Sequence, residues 1–378
     1  MGPREKIAWM DEKELMPYKV GALMYVPALN GGVGEKVCKG EFDGLDSLAL
    51  CLEDSVTDAG VREAEARLVK TLTYIKSRKT KGMPFLFVRA RNSHSLTELA
   101  SLLGGLIDQL TGFIFPKFDL SNALEYCSFI EKINEGRGKP LYMMPILESA
   151  CVMDKRFRTQ SLADIREMLD AHGRYVLNIR VGAMDFCGLY GLRCDADQTI
   201  YDIGVVRDTL TDILAFFADG YVVSAPVREY FRGSNDDGGD WHKGLENELR
   251  LDKANGFVGK TVVHPSQLPF VRKWLRQTQA DVDDAKAILN WKDDYLGVAR
   301  SVSGNRMNEL LTHRKWARKV LILSKIYGVR TLEPVYETVP IALNAESLRQ
   351  GGAPRPWEQL PMSDFTLKSY KRTVKERY

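Results

Sequence analysis

Three residues suited to metal and anion chemistry stand far apart in the chain, each at the end of a short apolar run. Arg89 follows Pro84–Val88, Glu148 follows Leu141–Leu147, and Asp185 comes just after Tyr175–Val181. Two carboxylates can share one divalent cation. Mg²⁺ suits such a pair, because it prefers oxygen, keeps several waters and takes only one or two protein carboxylates. No His/Cys cluster of the zinc type occurs in the sequence. Alternatively, each carboxylate could simply accept from a backbone amide or a nearby arginine. Arg89 offers a planar fork that fits a substrate carboxylate or a developing enolate oxygen, and it could also pair with Glu53 or Asp54.

Further candidates end other runs. Glu53 and Asp54 close Ser47–Leu52, and strand alternation predicts that only one of them points into a site while the other caps the turn. Lys117, in Phe115-Pro116-Lys117, could bind a substrate anion or a rim carboxylate, with Schiff-base chemistry as a weaker option. Pro226 follows Gly220–Ser224 and is a candidate substrate contact. His264 follows Phe257–Val263 and either acts as an acid/base group or orients a loop.

These residues can meet only if the elements bring them together. Eight apolar runs recur: Leu23–Val26, Ser47–Leu52, Pro84–Val88, Gly112–Phe115, Leu141–Leu147, Tyr175–Val181, Gly220–Ser224 and Phe257–Val263. Helical spacing fills the gaps, as in Leu68, Leu72 and Ile75, in Leu96, Leu99, Leu103, Leu106 and Leu110, and in Val206, Leu210, Ile213, Leu214 and Phe217. Ser95 and Glu98 predict a capping box ahead of the second of these faces. Strands alternating with helices make a parallel sheet, and continuous apolar strands mean that both faces are covered. Eight such units predict an α/β fold, a closed (β/α)8 TIM barrel with a C-terminal helical extension, whose strand ends share one rim.

The predicted organisation is an N-terminal extension (1–20), the barrel (21–291), a helical element placed to contact a neighbouring subunit (292–328) and an irregular, basic-ended tail (329–378). Leu268–Trp291 and Leu310–Tyr327 read as helices. Arg232–Asp240 reads as a polar loop, either a mobile lid or inert surface, with Asp240 capping a helix that starts near Trp241. The 378 residues carry a net charge of only +3, and no basic stripe with aromatics occurs, which argues against a nucleic-acid partner. Lys368–Tyr378 reads as a solvated or docking tail. Six cysteines without a C-x-x-C pair suit reduced thiols and a cytoplasmic setting. No signal-peptide core is present, and no apolar run approaches the roughly 20 residues that cross a bilayer, so no membrane partner is expected.

In combination, these residues resemble the HpcH/HpaI aldolase and citrate lyase β-subunit superfamily, Mg²⁺-dependent carbon–carbon lyases on a TIM barrel. The matching segments are Leu23-Met24-Tyr25-Val26-Pro27, Leu52-Glu53-Asp54-Ser55-Val56, Val88-Arg89, Pro116-Lys117, Ile146-Leu147-Glu148-Ser149-Ala150, Gly182-Ala183-Met184-Asp185, and Gly259-Lys260 with His264-Pro265-Ser266-Gln267. The resemblance implies that Glu148 and Asp185 hold Mg²⁺ and that Arg89 binds substrate oxygens and steadies an enolate. It also implies a homo-oligomer, a trimer or hexamer. Gly304–Glu309 is similar to an element that lends an acid to a neighbouring subunit's site, which makes Glu309 a candidate. Cys51 stands where many members carry Asp, Val20-Gly21 where they carry Arg-Ser, and Met184 where they carry an acidic or polar residue.

The implied activity is cleavage of a 3-hydroxy acid or its acyl-CoA thioester through a metal-stabilised enolate. A water held by the ion, Asp54 or His264 would take the hydroxyl proton. Two alternatives remain: a class II aldolase acting on free 2-oxo acids without CoA, and a non-catalytic binding or assembly module.

Overall fold

The structure, a computed structural model, describes residues 11–78, 80–232, 241–293 and 295–330. The polar loop beyond Arg232, the cap at Asp240 and the tail from residue 331, including Lys368–Tyr378, lie outside the described residues.

Eight strands follow the apolar runs: β1 (Ala22–Pro27), β2 (Ser47–Cys51), β3 (Phe85–Arg89), β4 (Gly112–Phe115), β5 (Tyr142–Leu147), β6 (Ile179–Val181), β7 (Val223–Ser224) and β8 (Lys260–Val262). All neighbours pair in parallel, in chain order from β1 to β7, with β8 against β1. The ring meets itself between β7 and β8 through one bridge, Ala225 with Lys260. Backbone bonds from Val258 N–H to Val223 O (2.9 Å) and from Thr261 N–H to Ala225 O (3.2 Å) flank that bridge. The result is a nearly closed, TIM-like barrel, as the run count predicts.

Its strands are apolar on both faces for two reasons. Leu23, Ala49, Phe87, Ile114, Met144 and Ile146 fill the interior. Leu48, Leu50, Val88, Phe113 and Leu147 face outward onto helices such as Val61–Arg78, Leu96–Leu103 and Arg158–Ala171. Burying each such side chain contributes roughly 1.5–3 kcal/mol. Register places Pro27 opposite Cys51 and Cys51 opposite Arg89, so three strands reach the C-terminal rim at one level.

The opposite end is plugged. The helix Glu12–Lys19 places Met16 against the interior cluster, beside Val20. Arg318 of the helix Arg314–Tyr327 donates to Glu14 at 2.7 Å, and the Tyr327 hydroxyl donates to Tyr18 O at 2.7 Å. Among the described residues no helix is long and apolar enough to cross a membrane.

Three local expectations are corrected. Ser95 does not cap the helix Leu96–Leu103, because its backbone is already helical (φ −79°, ψ −10°) and its hydroxyl turns back to Asn92 O. The stretch Leu268–Trp291 is two helices, Leu268–Leu275 and Gln279–Leu289, because Gln277–Thr278 leaves the helix to pair with Val329–Arg330. The element 292–328 opens with an antiparallel hairpin, Val298–Arg300 with Met307–Glu309, and its helix starts at Arg314 instead of Leu310.

Candidate active site

At the C-terminal rim lies a cavity of about 380 Å³ whose walls include Arg89, Asp54, Glu148 and Asp185, together with Tyr25 and Arg180. That size is within the range of small-molecule sites.

Arg89, the last residue of β3, is the hub. Its Nη2 lies 2.8 Å from Glu53 Oε2, 3.2 Å from Glu148 Oε1 and 3.3 Å from Asp54 Oδ2. Its guanidinium carbon sits 5.7 Å from the centre of the Tyr25 ring. Burial disfavours the cation, but Glu148 and the other anionic neighbours outweigh burial and hold the pKa of Arg89 above its usual value.

Glu148 follows β5 and is only 4% exposed. Burial pushes its pKa up to about 8, Arg89 opposes that rise, and Asp185 adds to it. Two backbone features fix this carboxylate. The Lys117 N–H donates to Glu148 Oε1 at 2.8 Å. Lys117 does so from φ 49°, the one positive-φ non-glycine among the described residues, a conformation that costs about 1–2 kcal/mol. The second feature is Gly182. A Cβ there would stand 2.0 Å from Glu148 Oε2 and 2.5 Å from Glu148 Cβ, so only hydrogen fits.

Asp185 sits in the first turn of the short helix Ala183–Leu189, immediately after β6. The Lys117 ammonium lies 3.6 Å from Asp185 Oδ1 and 3.2 Å from Asp54 Oδ1, and it also bonds Glu53. Lys117 thus belongs to the carboxylate cluster. It lines a neighbouring hollow with Asn92, His94 and Ser121, not the cavity itself.

Of the pair expected to divide between site and turn, Asp54 lines the cavity, whereas Glu53 does not and accepts from Asp54 N–H at 2.7 Å; both carboxylates reach Arg89. Strand geometry stops at Cys51, so alternation no longer governs the pair. Burial, together with the contact to Asp54, raises the pKa of Glu53. Burial also pushes Asp54 up, but Glu53, Arg89 and Lys117 outweigh it and hold its carboxyl below the usual range. Within the pair, Asp54 is the more open side chain, 55% exposed against 9%.

Three candidates stand apart from the cavity lining. His264 N-caps the turn Pro265–Gln267. Its Nδ1 accepts from Ser266 N at 3.2 Å, and its ring stacks on Phe231. Pro226 does not line the cavity, whereas its neighbour Val227 does. Glu309 lies in the hairpin, where its N–H donates to His313 Nδ1 at 2.9 Å.

A family model for the carbon–carbon bond lyases of the TIM-barrel fold matches residues 14–329. The chain belongs to this lyase family. Solved structures share the barrel. A citrate lyase from Burkholderia xenovorans LB400 is 16% identical, with a TM-score of 0.63 over 88% of this chain and 97% of that one. Protein CitE from Mycobacterium tuberculosis, solved with magnesium, acetoacetate and coenzyme A, is 20% identical, with a TM-score of 0.54 over 81% and 99%. Among curated proteins none matches the chain.

Among the described residues no group of three or more His, Cys, Asp or Glu is arranged to hold a metal. Two carboxylates suffice for Mg²⁺, however. Glu148 and Asp185 line one cavity, and Asp185 acts electrostatically on Glu148. Four carboxylates here face two cationic side chains, so acidic groups outnumber cations where a divalent ion would sit. The residues therefore fit Mg²⁺.

Sequence reasoning missed Arg180, Tyr25, Thr261 and Gly182 as parts of the site. Arg180 carried a usable signal, a charge inside the apolar run Tyr175–Val181.

Proposed function

We propose that the chain is a Mg²⁺-dependent carbon–carbon lyase acting on a 3-hydroxy acid or its acyl-CoA thioester. The observation that carries this reading is the joining of Glu53, Asp54 and Glu148 on one guanidinium at the mouth of a cavity that Asp185 also lines. The ligands of the M. tuberculosis CitE, magnesium, acetoacetate and coenzyme A, support this class of substrate.

Glu148 and Asp185 would hold the ion. When bound, Mg²⁺ supplies Lewis-acid stabilisation of negative charge on substrate oxygen. Cleavage requires the β-hydroxyl to lose its proton. The O–H electron pair then forms a carbonyl at Cβ, and the Cα–Cβ pair moves onto the enolate. Asp54 is the base, because it faces the cavity as an anion. Arg89 faces the oxygen on which charge collects, and preorganised donors in a dry pocket stabilise such charge best. Glu53 and Lys117 hold Arg89 and Asp54 in place. In the same reading the chain works as a homo-oligomer, a trimer or hexamer, with Glu309 directed to a neighbouring copy. Native mass measurement checks this.

Parallel cleavage assays on CoA thioesters and on free 2-oxo and 3-hydroxy acids, with calorimetric Mg²⁺ titration, test the function. The wild type should bind Mg²⁺ and cleave one class, and Glu148→Ala should lose both properties. Cleavage of free 2-oxo acids alone would make it a class II aldolase. Full turnover in Glu148→Ala, or neither Mg²⁺ binding nor turnover in the wild type, would overturn the reading.

A further inference from the structure

The barrel interior holds a second guanidinium that no carboxylate among the described residues answers. Arg180 lies on β6, opposite Ile146 of β5 and Ser224 of β7. It is 1% exposed, the largest of the fully buried side chains. Its Nη2 donates to Thr261 Oγ1 of β8. Its Nε and Nη1 have no hydrogen-bond partner among the described residues. Burial lowers its pKa, and the neighbour that favours its charge is the Tyr25 phenol. An arginine nonetheless stays protonated inside proteins, and a buried charge without a partner is strongly unfavourable.

Arg89 makes the contrast plain, for it has three carboxylates and Arg180 has none. Both guanidiniums line the same cavity. Tyr25 faces both, since Arg180 and Arg89 each oppose the burial that pushes its phenol up to about 12. Asn178, two residues before Arg180, also has both amide atoms unpaired. The polypeptide gathers its carboxylates on one side of the cavity and leaves in the wall a cation that no carboxylate among the described residues answers. Such a wall needs a ligand that brings its own negative charge.

We propose that Arg180, with Thr261 and Tyr25, is the recognition subsite for a second anionic group on the substrate, so that the ligand is a short diacid or a thioester with a free terminal acid. This rests on the lyase reading only in taking the cavity as the substrate site. The shared chemistry is an anionic oxygen fork, which either a carboxylate or a phosphate provides.

Calorimetry on the full chain, with and without Mg²⁺, tests it using three probes: butyrate, succinate and 2-phosphoglycolate. The wild type should bind one or both dianions about tenfold or more tighter than butyrate, the ratio that one such contact of about 1.4 kcal/mol supplies. Which dianion wins assigns the acid as carboxylate or phosphate. Arg180→Met should erase the preference for dianions over butyrate, while Arg180→Lys should keep part of it. Arg180→Met should also raise the melting temperature of the ligand-free protein, because an unpaired buried charge is removed. A purely structural arginine would lower it. Equal binding of all three probes by the wild type, or a preference that survives in Arg180→Met, overturns the proposal. A dianion preference without Mg²⁺ binding or turnover leaves the subsite standing and removes the lyase reading. Turnover without the preference does the reverse.

Discussion

Gly182 leaves room for Glu148 and for nothing larger than hydrogen. Gly182→Ala should therefore displace the carboxylate and lower kcat by about 10²-fold, the scale of a 1 Å misplacement, and should also cost about 1–3 kcal/mol of stability through overpacking against Glu148 Cβ. Steady-state kinetics and thermal melts check this. The proton acceptor is decided in the same way. Asp54→Asn should cut kcat by about 10²–10⁴-fold, as loss of a general base does. His264→Ala should leave kcat nearly intact and lose about 1 kcal/mol of stability, because its ring caps a turn. A His264 variant with the larger kinetic loss would reverse these assignments. Arg89, Asp54, Glu148 and Asp185 were legible because each ends an apolar run, and parallel closure gathers run ends. Arg180 was less so, since a charge within a run reads as an interruption until both faces of the strand are known to be buried.

The junction of β7 and β8 is backed by a buried ionic bolt. Lys260 Nζ lies 2.8 Å from both Glu248 Oε1 and Asp252 Oδ2 of the helix Trp241–Asn255. Glu248 Oε2 also accepts from Ile200 N at 2.9 Å and Arg228 Nη1 at 3.2 Å. Lys260→Met would strand these carboxylates in the dry, so it should destabilise by about 3–5 kcal/mol in chemical denaturation. Asp46, just before β2, accepts from Ala22 N at 3.0 Å, and burial raises its pKa to about 6. The folded state thus holds that proton more tightly than the unfolded chain does. Its contribution is present below pH 4 and is lost as pH rises through about 6. Asp46→Asn should raise the melting temperature at pH 8 and change it little at pH 4. Among the elements, the eight strands were readable from local pattern. The break at Gln277 was not, because its partner strand at Val329 is remote in sequence and either segment alone is too short to show a period.

One end of the barrel is built for stability and the other for binding. Met16 and Val20 plug the first with apolar contacts. The second crowds Glu148 and Asp185 together beside Arg89 and buries Arg180 with two of its nitrogens unpaired among the described residues. Ligands that cancel those charges should stabilise strongly. Mg²⁺ with a diacid, each well above its dissociation constant, should raise the melting temperature, by an amount equivalent to about 2.7 kcal/mol per ligand at a hundredfold excess. Absence of any shift would mean that the charged end is not a receptor. Family membership was legible from seven motifs in order. The second anionic group was not, because it depends on Thr261, Tyr25 and Arg180 meeting across the interior.

A ring fastened by a single clasp opens there first. The clasp here is Ala225 with Lys260, while the other strand junctions hold two or more pairs. Amide protons at Ala225 and Thr261 should exchange with deuterium sooner than those at Leu50 or Val88. Arg180 and Thr261 sit on that flank and Arg89 sits across from it, so a molecule gripped by both guanidiniums would act as a crossbar. Bound diacid should slow exchange at the clasp more than anywhere else.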